Sequence, residues 1–236
     1  QDVSAFVSLD SSLARERILH TLRYQKKDGN TIRQFDPVFD YPYRDGASWI
    51  PATILSYLKE SNDASILKEK VAYYDDEKEE TVLEHMLKGL DFLLNQKGEH
   101  HLTLWGGGDW NDSLNNCGRK GKGESVWLSI ATIKAVHDLE EIIIHYHLPI
   151  DYSSYLERAE DMKKAILTYG WDKDHFIYGY NDEGEKIGSY ETEEGQIYLN
   201  PQTWAVLADI VSKEEALKLC CLLYTSPSPR DQRGSR

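Results

Sequence analysis

Apolar residues in this chain recur at steps of three and four, and that period commits most of it to helices packed on one another. The run Thr81 to Asn95 is the clearest, with Val82, Leu83, Met86, Leu87, Leu90, Leu93 and Leu94 on one broad face. The same period predicts a helix capped by Asp10 or Ser11 and running to about Lys27, with Leu13, Ile18, Leu19 and Leu22 inward. A second spans Ser48 to Glu60, with Pro51 tolerated in its first turn and Ile54, Leu55 and Leu58 inward. A short piece covers Ser65 to Val71. Glu124 to His145 is the longest helix, followed by Tyr152 to Tyr169, Pro201 to Ile210 and Lys213 to Leu222. Phe176 to Tyr180 and Lys186 to Tyr190 flank Asn181-Asp182-Glu183-Gly184 and read as a β-hairpin.

Between these elements lie three long non-helical stretches, Asp28 to Ala47, Gly98 to Gly123 and Trp171 to Asn200. Loops of this length in a compact domain are usually functional. Alternation of long and short loops between helices is the pattern of paired helices in a barrel or toroid, with the long loops gathered at one end. The fold class expected is therefore all-α with a small β-hairpin insertion. No repeat of fixed period is apparent.

The 236 residues allow one large domain or two small ones. A balance of 27 basic against 40 acidic residues, net −13, argues against nucleic-acid and anionic-membrane partners, which need basic patches. No apolar run is long enough to span a membrane. Gln1 to Asp10 carries no signal peptide and no initiator Met, so the chain is expected to begin inside a longer gene product. Cys117, Cys220 and Cys221 give neither a disulfide framework nor a metal spacing, and a reducing cytoplasm is the expected location. The stretch Tyr224 to Arg236, YTSPSPRDQRGSR, has no aliphatic residue and resembles translated sequencing-adapter read-through. Residues 223–236 are expected to be a disordered, non-native tail.

The most chemically loaded stretch is Gly106 to Asn115, GGGDWNDSLN. Three glycines let the backbone approach a ligand closely, and two carboxylates, Asp109 and Asp112, follow with Trp110 and Asn111 between them. A carboxyl can donate a proton, an amide can bind hydroxyls and an indole can cover an apolar sugar face, which together suit a sugar-cleaving site. Gly, Asn and Asp also dominate plain surface turns. Two indoles, Trp105 and Trp110, weigh against that reading.

Other motifs fail on spacing. An EF-hand starting at Asp109 would need Gly and Glu where Leu114 and Lys120 stand. Gly118 to Ser125 is not a phosphate loop, because Gly123 follows Lys122. Asn111-Asp112-Ser113 is a formal glycosylation sequon that reads as chance without a signal peptide. His145 and His147 cannot share one helix face as metal ligands.

GGGDWNDSLN, together with GKGESVWL over 121–128, resembles the inverting disaccharide phosphorylases of glycoside hydrolase family 94, which include cellobiose and chitobiose phosphorylases. Gln1-Asp2-Val3 looks like the remnant of a motif at the start of their catalytic domain. YRDGASWIP over 43–51 and EEGQIYLNPQTWAV over 193–206 are similar to two further family segments. The resemblance covers about Gln1 to Leu222. It implies a partial (α/α)6 barrel over residues 1–222, normally flanked by a large β-sandwich and a small β domain. It implies a homodimeric parent that uses inorganic phosphate as co-substrate and no cofactor or metal. The phosphate-binding His and Thr-Gly residues of the family, and its acceptor-site loop, lie beyond this chain, and the arginine that contacts the cleaved sugar lies before Gln1.

By resemblance, Asp112 is the general acid that protonates the glycosidic oxygen, while phosphate attacks the anomeric carbon from the opposite face. The product is an α-sugar 1-phosphate from a β-linked gluco-disaccharide or oligosaccharide. One catalytic carboxyl suffices, since phosphate needs no base to activate it. Burial against Trp110 or Trp105 is expected to keep the acid protonated. Asp109 is a sugar-binding or supporting carboxylate, with a purely structural turn role open beside it. Trp110 is expected in the sugar subsite. Arg44 and Asp45 are expected to hydrogen-bond the donor sugar, or else to form an ordinary surface ion pair. Gln202 is a further substrate-binding candidate, although Glu193, Glu194, Gln202 and Trp204 suit packing and support equally well. An inverting hydrolase on the same barrel type is the other enzymatic reading. An inactive fragment that binds sugar weakly is the non-enzymatic one.

Overall fold

The computed structural model describes residues 2–225. Seven α-helices carry the described chain: α1 (Ser11–Leu22), α2 (Trp49–Ser61), α3 (Val82–Asn95), α4 (Val126–His145), α5 (Ser153–Ala165), α6 (Leu199–Leu207) and α7 (Lys213–Thr225). Helix α4 is the pillar. Every residue from Val126 to Ile133 is buried, so its first two turns are enclosed on all sides. Helices α2, α3, α5 and α6 pack around it, with α1 against α2 and α7 against α6. The larger core holds Ile54, Leu58, Met86, Leu90, Ile130 and Ile142, all at most 2% exposed. Each such side chain contributes about 1.5–3 kcal/mol by leaving water. A second core under the long loops is aromatic, built on Trp105, Trp127 and Tyr178.

Short two-residue and three-residue strands pin the loops. β1 (Gln34–Phe35) pairs with β2 (Val38–Phe39), and β3 (Lys70–Ala72) with β4 (Glu79–Thr81), both antiparallel. β5 (Glu124–Ser125) pairs with β8 (Gly179–Tyr180), which pairs with β9 (Lys186–Ile187). β6 (Trp171–Asp172) and β7 (His175–Phe176) form a separate hairpin.

Helix starts follow their caps. Asp10 accepts the Leu13 N–H, and Thr81 forms a complete capping box with Glu84 at the start of α3. Boundaries move where tertiary pairing wins over periodicity. α1 stops at Leu22 and not Lys27, because the chain reverses: Gly29 N–H donates to Lys26 O, Lys26 N–H to Asn30 O, and Gln25 bridges Thr31. Gly29 has φ +100°, and a Cβ there would meet Lys88 O at 2.2 Å. Glu124 and Ser125 are strand rather than helix, since β8 recruits their backbone. The chain after Ala165 widens into a π-helical turn, Ile166–Gly170. The expected hairpin is narrower than its apolar runs, because Phe176 pairs with Trp171 instead. α7 continues through Thr225, beyond the expected boundary at Leu222. The rest of the expected tail, 226–236, and Gln1 of the N-terminal motif lie outside the described residues.

The capping box makes a direct prediction. Thr81→Ala removes the acceptor for Glu84 N–H and should cost about 1 kcal/mol, lowering the urea midpoint with the slope unchanged. An unmoved midpoint would show that the box contributes nothing here.

Candidate active site

The three long loops converge. Arg44 N–H donates to Gly108 O at 3.1 Å and Gly107 N–H to Pro42 O at 2.9 Å, laying the glycine loop along residues 42–44. Asn115 Nδ2 donates to Tyr43 Oη at 2.5 Å. From the third loop, Asp182 accepts the N–H groups of Lys120, Lys122 and Gly123 at 2.7–3.0 Å. The loop glycines serve this packing. Gly106 sits at φ +62° with the Arg44 side chain 2.3 Å from where its Cβ would be, and a Cβ on Gly108 would strike the Tyr43 ring. They let the loop pack closely against residues 41–44.

Beside this seam lies a cavity of about 420 Å³, lined among others by Arg33, Tyr43, Asp45, Trp49, Asp109 and Trp110. Its floor comes from α1 and α2 (Ile18, Leu22, Ile50, Ile54) and its polar wall from the loops. Apolar lining with a few convergent polar groups is the usual form of a small-molecule site. Trp110 is 45% exposed and leans on Trp127, 6.5 Å between ring centroids. Trp127, Trp49 and Trp204 continue the cluster inward at 5.2–6.4 Å.

The two loop carboxyls have opposite environments. Asp109 is 1% exposed. It accepts from Ser125 Oγ at 2.7 Å, Tyr178 Oη at 2.9 Å and Asn111 N–H at 3.0 Å. Burial pushes its pKa up to about 7, against the pull of those three donors and with the help of nearby Asp45. Asp112 opens a single 3-10 turn, Asp112–Leu114, and its side chain is 61% exposed. Arg33 Nη1 and Nη2 donate to its two oxygens at 2.6 and 2.8 Å. That guanidinium holds the Asp112 carboxyl below the usual carboxylate range. The expectation that burial against Trp110 or Trp105 protects the proton of Asp112 does not hold. Trp105 is fully buried and stacks on Tyr178, and burial acts on Asp109.

The other expected residues divide. Asp45 lines the cavity, half-buried, and accepts Trp49 Nε1–H at 3.1 Å; burial raises its pKa. Arg44 points away, behind the glycine loop: Nη1 donates to Gln96 Oε1 at 2.8 Å and the guanidinium lies over Phe92. No Arg44–Asp45 ion pair forms among the recorded contacts. Gln202 is fully buried and outside the cavity. It accepts Phe176 N–H at 2.8 Å and donates to Phe176 O at 2.6 Å and Tyr198 O at 3.0 Å, tying β7 to α6. Its role here is support. Arg33 carried no sequence signal, since it lies 79 residues from its partner in a loop without a motif. Tyr178 was read only as a hairpin residue, and Ser125 only as a helix residue within the family segment 121–128, so neither announced its bond to Asp109. Among the described residues no cluster of His, Cys, Asp and Glu could hold a metal ion, and no helix is long and apolar enough to cross a membrane.

Residues 1–221 match the family described as Glycosyl hydrolase 94 superfamily, catalytic domain. The chain is 44% identical over 217 residues to the solabiose phosphorylase of Paenibacillus borealis, covering 92% of this chain and 28% of that protein. A 3-O-beta-D-glucopyranosyl-beta-D-glucuronide phosphorylase from the same organism is 29% identical over 91% of this chain and 29% of its own length. The cellobionic acid phosphorylase of Neurospora crassa is 34% identical over 75% of this chain and 22% of its own length. The chain thus spans under a third of the length of each of these relatives.

The buried carboxyl generates a pH signature. The folded state keeps the Asp109 proton up to about pH 7, whereas the unfolded chain loses it near 3.8. Stability from this group is therefore complete below that window and is lost as pH rises through it. Asp109→Asn cannot ionise, so the melting temperature of the variant minus that of the parent should rise between pH 5 and pH 8. A difference that stays flat would rule out a protonated Asp109.

Proposed function

The chain belongs to the glycosyl hydrolase 94 superfamily, and on that premise we propose that it supplies the proton-donor half of a phosphorolysis site in a longer protein. The observation that carries this reading is the position of Asp112: a solvent-reachable carboxyl next to a sugar-sized cavity, beside Trp110 and within the field of Asp45. Asp112 Oδ–H gives its proton to the glycosidic oxygen as the C1–O bond breaks. A phosphate oxygen forms the new bond to C1 from the opposite face, leaving Asp112 as a carboxylate and an α-sugar 1-phosphate as product. Trp110 covers a sugar face and Asp45 accepts from sugar hydroxyls.

Asp109 has the higher pKa but suits the acid role less. Both of its oxygens take hydrogen bonds from inside the protein and its side chain is buried, so it is the less open of the two carboxyls to a substrate. We assign it to hold the loop that carries Trp110 and Asp112. The relatives are named for neutral and acidic sugars, and we read the substrate as a β-linked glucoside. The seven helices are read as part of an (α/α)6 barrel whose remainder brings the phosphate-binding groups.

In a full-length relative carrying the same loop, Asp112→Asn should lower kcat by about 10²–10⁴, with cleavage requiring phosphate. Retention of more than a few per cent of activity would transfer the role to Asp109. Undiminished cleavage without phosphate would favour a hydrolase.

A further inference from the structure

Charge is distributed unevenly around the cavity. Arg33 is the one cation among its described lining residues, against the carboxyls of Asp45 and Asp109, with Asp112 beside them. The guanidinium is held from two sides. Tyr43 lies beneath it, 4.2 Å from ring centroid to Cζ, and Asp112 takes two of its N–H groups. The platform is fixed independently of Asp112: Tyr43 is buried, and its hydroxyl accepts from Asn115 Nδ2. The pair itself is open to water, with side chains 41% and 61% exposed.

The pair is held by two-pronged geometry and not by burial, so water and other anions can reach both partners. Exchanging Asp112 for another oxyanion of the same two-pronged shape therefore costs little, while the fork geometry of arginine selects such groups. We propose that Arg33 is an oxyanion-receiving residue of this cavity, which trades the Asp112 carboxylate for a carboxylate on the sugar. The trade has a consequence for Asp112. The groups acting on its carboxyl are Arg33 and Asn115, and those acting on Arg33 are Asp112, Tyr43 and Asp45. Once the guanidinium leaves, Asp112 loses its compensating cation, binds a proton from solvent more readily and becomes able to donate it. Arrival of the anion would thereby arm the acid. This second step rests on the reading of Asp112 as proton donor; the oxyanion site does not.

The test uses the 236-residue chain with carbon-13 in its aspartate carboxyls and nitrogen-15 in its arginines, the signals being assigned with Asp112→Asn and Arg33→Lys. Inorganic phosphate, glucuronate and glucose are titrated at constant ionic strength. The expected result is a saturable shift of the Arg33 and Asp112 signals with one common Kd for glucuronate. Arg33→Lys should weaken that Kd at least tenfold, and Arg33→Gln should abolish the response. Phosphate should give a weaker response and glucose none. An equal response to glucose or to phosphate, a response that survives in Arg33→Gln, or no response to glucuronate would overturn the proposal. Loss of the acid assignment by activity in Asp112→Asn of a full-length relative, with the anion response intact, would leave the site standing without its arming role.

Discussion

The hydrogen bonds into Asp109 join three parts of the chain that are far apart in sequence. Asn111 N–H closes the glycine loop on itself, Ser125 Oγ ties it to the start of α4, and Tyr178 Oη ties it to the strand region that pairs with β5. Ser125 also caps α4 by accepting Leu128 N–H at 3.0 Å, so one hydroxyl serves both the helix start and the loop. These donors satisfy a carboxyl that is almost wholly buried. A buried carboxyl with such partners is costly to disturb, because removing one donor leaves the rest of the group unpaired. The position of Trp110 and Asp112 follows from this anchor, since both sit within three residues of it.

From that anchor comes the contrast that organises the site. Two carboxyls three residues apart experience opposite physics: burial drives one toward the neutral form, and a guanidinium in water holds the other ionised. High proton affinity and availability to a substrate are thus separated. The group that keeps its proton is enclosed, and the group that can reach a sugar is paired. On the proposed reading, the exposed carboxyl must be released before it can act as an acid, and Arg33 is the cation paired with it.

Much of this was legible in the residues. The period of three and four located all seven helices of the described chain, and two of the three long interruptions, 28–47 and 98–123, marked segments that line the cavity, while the third braces the second through Asp182. Family resemblance singled out the Gly-Asp-Trp-Asn-Asp core, and membership of the family is established by the match over residues 1–221. Lost to sequence was everything set by contacts across the fold. Arg44 and Asp45 are neighbours in the chain, yet one turns behind the glycine loop and the other into the cavity. Gln202 looked like a sugar-binding amide, but its two ends fit the backbone of Phe176. The burial of Asp109 and the exposure of Asp112 depend on Ser125, Tyr178 and Arg33, none of which has a local pattern announcing the contact.

Site-resolved titration of the two carboxyl carbons, Asp109 and Asp112, in the same chain addresses this division of states most directly. Asp109 should change protonation at about pH 7, and Asp112 below the ordinary aspartate value of 3.8. The reverse order, with Asp112 holding its proton to neutral pH and Asp109 ionising like a free carboxyl, would contradict the account.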